Sequence, residues 1–444
     1  MNLTRTSVKP TKSKTHSRIS RMILGGALLF LALIIPFNNI FAQGRPGQSN
    51  EILIKGGHVI DPKNGINSLM DVSIIGGKIA RVAAGLTPGV NATIIDAKGL
   101  YVTPGLIDIH AHAFWGPGEG TNYSNGALAL QPDGFTLRAG VTTIVDAGGA
   151  GWRNFEIFKK QTIDRAVTRV LSILNISGAG MDGSPNEGGN LGDMDAQKTG
   201  EMGKKYPDII VGVKHAHWGR NNPVPAPGPD DYIIPIKRGI EAAGIMGGYF
   251  MLDGTFSEVT APLFRAGDVF THLYTGSLID EKTGKIKSHF TDAQKRGVIF
   301  DVGHGGGAFK YANALPAIKQ GFIPHTISSD LHSSSMNSGM KDMTNLMSKF
   351  MAMGLSLEDV IVRSTWNPAN VIKRPELGNL SVGSVADVAV FNVKNGDFGF
   401  LDTSRTKIKG KQKLETELTI RAGRVVWDLN GMASPLTPAL TEAQ

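Results

Sequence analysis

Cysteine is missing from all 444 residues. No disulfide staples the chain, no thiol carries a lipid, and any metal site must be built from nitrogen and oxygen ligands. Excess charge is almost missing from the body as well. The formal net charge is +8, and Arg5, Lys9, Lys12, Lys14, Arg18 and Arg21 near the N-terminus supply six of those charges. The remainder is close to neutral, so no basic stripe is left to track phosphates, which argues against a nucleic-acid partner. Neither an internal repeat nor a low-complexity segment follows the leader. One long apolar run is present, over residues 22–37. It is short for a membrane span, follows a basic stretch and precedes the small Ala42, so residues 1–43 read as a secretory signal. The expectation is export to the periplasm or the extracellular space. An uncleaved inner-membrane anchor is the alternative, and membrane contact is then confined to this segment.

Flanking runs predict one small composite β domain. From residue 50 to 100 short β-rich runs alternate with glycine turns, and the same texture returns over 378–431, ahead of a tail at 432–444. Between them, apolar runs alternate with helix-like segments. The strand-like runs cover residues 102–112, 141–145, 169–176, 209–214, 249–253, 268–272, 298–304 and 323–330. Eight is the count for an α/β fold of the (β/α)8 TIM-barrel kind, here over 101–377, with the flanks packed as a β-sandwich.

The run 101–112 ends in His110-Ala-His112. On a β-strand, residues two apart share a face, so both imidazoles can meet one metal ion. Val102, Leu106, Ile107 and Ile109 mark the run as a buried parallel strand, whose C-terminal end is where α/β barrels place their chemistry. Other runs end in candidate ligands too: Lys214 with His217 beyond it, Asp253, His272, His304 and Asp330. Singly, each is an ordinary capping or hydrogen-bonding residue. Converging on one barrel mouth, they suit one or two divalent ions of the zinc or manganese type. Lys214 stands out, because an ammonium beside cations is repelled and should lose its proton. His217 is a further candidate, although a regular strand turns it away from Lys214. His304 precedes Gly305-Gly306-Gly307, where backbone can approach a ligand closely, and is expected to bind substrate or polarise its carbonyl. Trp115, Trp218 and Tyr274 lie just past strand ends, where they shape an apolar pocket or pack loops.

These residues carry a family resemblance. His110-Ala-His112, a lysine ending strand four, a histidine ending strand six and an aspartate ending strand eight resemble the amidohydrolase superfamily. The stretches 211–217, 267–276, 301–309 and 328–332 are similar to its amidohydrolase/deacetylase branch, close to the dihydroorotases. The resemblance covers roughly residues 50–431. It implies two divalent metal ions, zinc or manganese, and carbon dioxide held as a carbamate on Lys214 that bridges them. It implies that His110, His112 and Asp330 hold the first ion and His272 the second. A hydroxide generated there attacks an amide carbonyl, and Asp330 takes its proton and passes it to the leaving nitrogen. One departure stands out: the usual pattern has a histidine ending strand five, where this chain offers Asp253, and a shift in register would bring Leu252 or Met251 there instead.

The function expected is therefore hydrolysis of a non-peptide carbon–nitrogen bond or an acyl ester in a small-molecule substrate, such as an N-acyl amino acid or a cyclic amide. A one-metal deaminase has no need of Lys214. A metal-free exported binding protein finds support only in the absent histidine. Nothing in the sequence decides for or against a homo-oligomer.

Overall fold

The computed structural model describes residues 51–435, except 119–124, 126–127, 182–190, 217–232 and 277. The leader, His217 and Trp218 lie outside the described residues.

Residues from both ends of the body build one hydrogen-bonded sheet. Its strands are β1 (Ile52–Asp61), β2 (Ile66–Ile75), β3 (Lys78–Ala83), β4 (Thr93–Asp96) and β5 (Tyr101–Pro104), joined by β13 (Val388–Leu401), β14 (Lys407–Arg421) and β15 (Arg424–Asp428). The order is β15-β14-β13-β5-β1-β2-β3, with β4 paired to β1. Both β4 and β5 run parallel to β1, and the other pairs are antiparallel. β-branched and apolar side chains, among them Ile54, Val59, Val72, Val102, Val390 and Ile420, form its buried face. The flanks thus join as one sheet, with the two halves of the chain meeting where β5 pairs with β13.

Seven parallel strands make the second sheet: β6 (Leu106–Ala111), β7 (Val141–Ala147), β8 (Arg169–Asn175), β9 (Ile210–Ala216), β10 (Tyr249–Asp253), β11 (Val269–Phe270) and β12 (Ile299–Phe300), in the order β12 to β6. Helices such as Ile233–Met246 and Met343–Ala352 share with these strands a cluster that includes Phe155, Phe158, Ile236, Phe290, Leu346 and Phe350. Three departures from the sequence reading have physical causes. The run 102–112 is two strands, since Pro104 offers no N–H to a ladder and the chain changes sheet at Gly105, where a Cβ would lie 2.3 Å from Thr142 Oγ1. Strands β11 and β12 are short, because His272 and Gly303 adopt left-handed backbone at φ 62° and 46°. The run 323–330 forms no strand of its own, yet Thr326 makes a parallel bridge to Asp301 and Leu331 one to Ala111. Val302 N donates to Thr326 O at 3.2 Å and His112 N to Leu331 O at 2.9 Å, so this eighth run touches both ends of the seven-stranded sheet.

Candidate metal centre

Six of the expected residues meet at the C-terminal ends of the parallel strands. His110, His112 and Asp330 present ligand atoms within 4.8 Å of one another, and so do His110, Asp253 and His272. His110 belongs to both groups. Lys214, fully buried on β9, lies between them, its Nζ 3.1 Å from His110 Nε2 and 3.2 Å from Asp253 Oδ2. Asp253, the residue offered in place of a histidine, is the last residue of β10 and turns its Oδ2 to within 3.2 Å of His272 Nε2. Leu252 packs instead into the apolar layer.

Backbone conformation aims two of these side chains. His272 and Asp330 both have positive φ, 62° and 49°, a region that costs a non-glycine residue on the order of 1–3 kcal/mol. The left-handed turns bring both side chains to the edge of the mouth. Two glycines make room: a Cβ on Gly303 would lie 2.3 Å from Thr271 Oγ1 and 2.8 Å from His272 Nδ1, and one on Gly305 would lie 2.3 Å from Asp330 Oδ2.

Buried partners settle which nitrogen of each ring faces inward. Asp301 accepts hydroxyl hydrogens from Thr271 (2.8 Å), Thr326 (2.6 Å) and Ser328 (2.6 Å). With its hydrogen so committed, Thr271 Oγ1 accepts from His110 Nδ1–H at 3.0 Å, which leaves the lone pair on His110 Nε2. His272 Nδ1 lies 2.6 Å from Gly303 O, and a carbonyl only accepts, so its Nε2 is likewise the inward nitrogen. Burial and the neighbouring Lys214 hold His110 well below the usual imidazole range. Burial opposes charge on His272, but Asp253 outweighs it and raises the pKa to about 9. Burial would also neutralise Asp330, yet the facing imidazoles keep its carboxyl well below the usual carboxylate range. Imidazole nitrogens and carboxylate oxygens converging at the strand ends are a donor set that suits a divalent cation.

Several contributing residues escaped the sequence reading. Asp108, on the same strand face as His110, accepts from Ser329 Oγ, from Ser329 N at 3.1 Å and from His110 N at 3.1 Å. It clamps the eighth run to β6, and burial lifts its pKa to about 7. Asp146 accepts from Ala113 N (2.7 Å), Phe114 N (3.2 Å) and Gly149 N (2.8 Å), fixing the chain just past His112. For Asp108 the signal was present in the alternation 108, 110, 112. For Asp146 it was one residue beyond the predicted run.

His304 sits elsewhere than expected. It is fully buried, stacked on Phe309 at 4.5 Å, with Nδ1 2.9 Å from Gly305 O and Nε2 2.9 Å from Lys349 Nζ. Both nitrogens serve the fold, and the neighbouring Gly306, Gly307 and Ala308 line the cavity instead. The role against substrate is thus corrected to support beneath the glycine turn. Tyr274 is fully buried against Phe309 and packs the loop. A cavity of about 530 Å³ opens above the cluster, bordered by Asp253, His272, Asp330, His332, Phe256 and Thr275 among others.

Known proteins share this arrangement of strands. The profile of the amidohydrolase family matches residues 308–426. A deacetylase of Agrobacterium fabrum is 30% identical over 380 residues, which span 81% of this chain and 87% of that protein. Among solved structures, an adenine deaminase superposes with a TM-score of 0.75 at 26% identity, covering 85% of this chain and 99% of the other. A dihydroorotase superposes with a TM-score of 0.71 at 27% identity, covering 86% and 98%. Sequence likeness along most of its length, and the strand-end ligands just described, place this chain in the amidohydrolase family.

Proposed function

We propose that the chain is an exported metal-dependent hydrolase that cleaves a non-peptide carbon–nitrogen bond, or an acyl ester, in a small molecule. The observation that carries this reading is the buried Lys214 amine lodged between two ligand triads that share His110. We read the seven parallel strands and the eighth run as a closed (β/α)8 barrel beside a small β domain. Relatives named deacetylase and dihydroorotase point to N-acyl amino acids and cyclic amides as the substrate class.

His110, His112 and Asp330 would hold one ion, and His272 with Asp253 a second, with Lys214 between them as its carbamate. Bound divalent ions supply polarisation of the carbonyl and activation of water near neutral pH. Asp330 Oδ1 faces His112 Nε2 at 3.0 Å, and its Oδ2 lies on the other side, 3.7 Å from His332 Nε2. That oxygen takes a proton from the adding water and delivers it to the leaving nitrogen, as the carbon–nitrogen bond breaks and acid and amine separate. Fixed tautomers at His110 and His272 spare the site reorganisation as charge develops. A one-metal deaminase leaves the position of Lys214 unexplained.

Elemental analysis of protein purified with zinc or manganese and bicarbonate tests the reading. About two ions per chain are expected in the wild type, with a sharp fall in Lys214→Ala that keeps its circular dichroism. One ion, indifferent to Lys214, would replace the bridged pair with a mononuclear site. None in either protein would favour a metal-free binding role.

A further inference from the structure

Along β14, Lys407, Lys409, Lys411 and Lys413 alternate with Ile408, Gly410, Gln412 and Leu414. Alternation with a period of two sends the two sets to opposite faces. The inner face packs on the helix Met343–Ala352: Leu414 is fully buried, its N donates to Ser348 Oγ at 2.9 Å, and a Cβ on Gly410 would lie 2.9 Å from that of Ala352. The lysines are thereby turned outward. Lys407, Lys409 and Lys411 are exposed and Lys413 is half-buried. Two residues along a strand advance about 6.6 Å, so the four positions make a row about 20 Å long.

Pairing with β13 adds Lys394 opposite Lys413, and Leu401, 39% exposed, opposite Lys407. Like charges directly opposite one another destabilise a sheet. Lys394 is balanced by Glu415 at 3.2 Å, and Lys411 pairs with Asp397. Among the described residues, Lys407, Lys409 and Lys413 meet no carboxylate within 4.0 Å. Five ammonium groups thus share a face with two carboxylates on a body that is otherwise close to neutral, a concentration that net charge alone did not disclose. Nothing within the fold offsets it, so the offset is sought in an anionic partner.

We propose that this outer face of the β13–β14 hairpin docks on a bilayer surface rich in anionic lipid, a second membrane contact beyond the N-terminal segment. Basic side chains in a row, with an exposed leucine among them, suit the headgroup layer, where each cation near the surface adds to binding. A nucleic acid fits less well, because the aromatic residues of the hairpin, Phe398 and Phe400, pack on the inner side and offer no ring to a base. Topology agrees. β5 runs parallel to β1 and antiparallel to β13, so the far half of the hairpin extends toward the end of the sheet at which β1 begins. The chain therefore enters the sheet, at Ile52, from the end that carries the lysines.

The test is sedimentation with vesicles of phosphatidylcholine alone or with phosphatidylglycerol added, using protein recovered from cells with its N-terminus defined by mass spectrometry. Any contribution of the N-terminal segment is then common to all variants. One variant replaces Lys407, Lys409, Lys411 and Lys413 by glutamine. A control variant loses the same charge elsewhere, with Lys204, Lys282, Lys295 and Lys319 replaced by glutamine. All three proteins must share one circular dichroism spectrum. Wild type is expected to bind the phosphatidylglycerol vesicles in a salt-sensitive way, the hairpin variant on the order of 10- to 100-fold more weakly, and the control within about 3-fold of wild type. Equal binding by wild type and the hairpin variant, or an equal loss in the control, would overturn the proposal. So would tighter, equally lysine-dependent binding of duplex DNA at the same salt, which would put a nucleic acid in place of the lipid.

Discussion

At the scale of single residues, one hydroxyl decides which nitrogen of His110 is offered to a cation. Thr271 Oγ1 stands between Asp301 and His110 Nδ1, at 2.8 and 3.0 Å, so removing it frees the ring to turn and to change tautomer. Thr271→Val keeps the shape and deletes the relay. Competition with a chelator should then show zinc affinity about 10- to 100-fold weaker, with the fold intact by circular dichroism. An unchanged affinity would mean that packing alone holds the ring. This relay was not legible in the sequence, because His110 and Thr271 are 161 positions apart and neither Thr271 nor Asp301 bears a metal-ligand signature. His110, His112, Lys214, His272 and Asp330 were legible because each ends an apolar run.

At the scale of elements, the helix Met343–Ala352 props the glycine turn at the cavity edge. Lys349 is fully buried in it, donating to His304 Nε2 and to Gly339 O. Burial depresses its pKa to about 7, against the pull of Asp342 and Asp402 and with the push of Lys341. An unfolded lysine titrates near 10.4. Between about pH 7 and 10 the unfolded chain therefore binds a proton that the folded chain lacks, and stability rises with pH across that window. Below it both states are charged, and the cost of burying the ammonium is felt in full. Lys349→Met lacks this linkage. Urea unfolding should show wild type gaining on the variant by roughly 1.4 kcal/mol for each pH unit from 7 to 9. Parallel stability curves would mean that water reaches the amine. The sequence marked His304 as special through the three glycines that follow it. It could not reveal that a lysine from a distant helix occupies the other side of the ring.

At the scale of the whole molecule, the small sheet and the parallel strands are tied by charge as well as by chain. Arg169, at the start of β8, meets Asp387, just before β13, at 2.5 Å, and Asp387 also accepts from Ala422 N at 2.8 Å. The side chains are only 19% and 8% exposed. Arg421 reaches Asp387 at 3.4 Å and compensates in part. Arg169→Ala should therefore lower the unfolding free energy by about 2–4 kcal/mol, because a buried carboxylate loses its nearest cation. Asp387→Asn in the same background should recover part of it. Additive losses in the double variant would show that the pair is not coupled.

What the sequence determined by itself was local: most of the runs that are strands, the imidazole and carboxylate residues that end them, and that no cysteine can join the site. Periodicity and residue type act over a few positions, and a reader of the chain sees them directly. Only the tertiary structure decided how the run 102–112 is shared between two sheets, that Asp253 and not Leu252 turns inward, and that His304 faces Lys349. Each of these depends on a partner supplied from another strand or helix, or on a turn in left-handed backbone, and such pairings exist only once the chain has closed on itself.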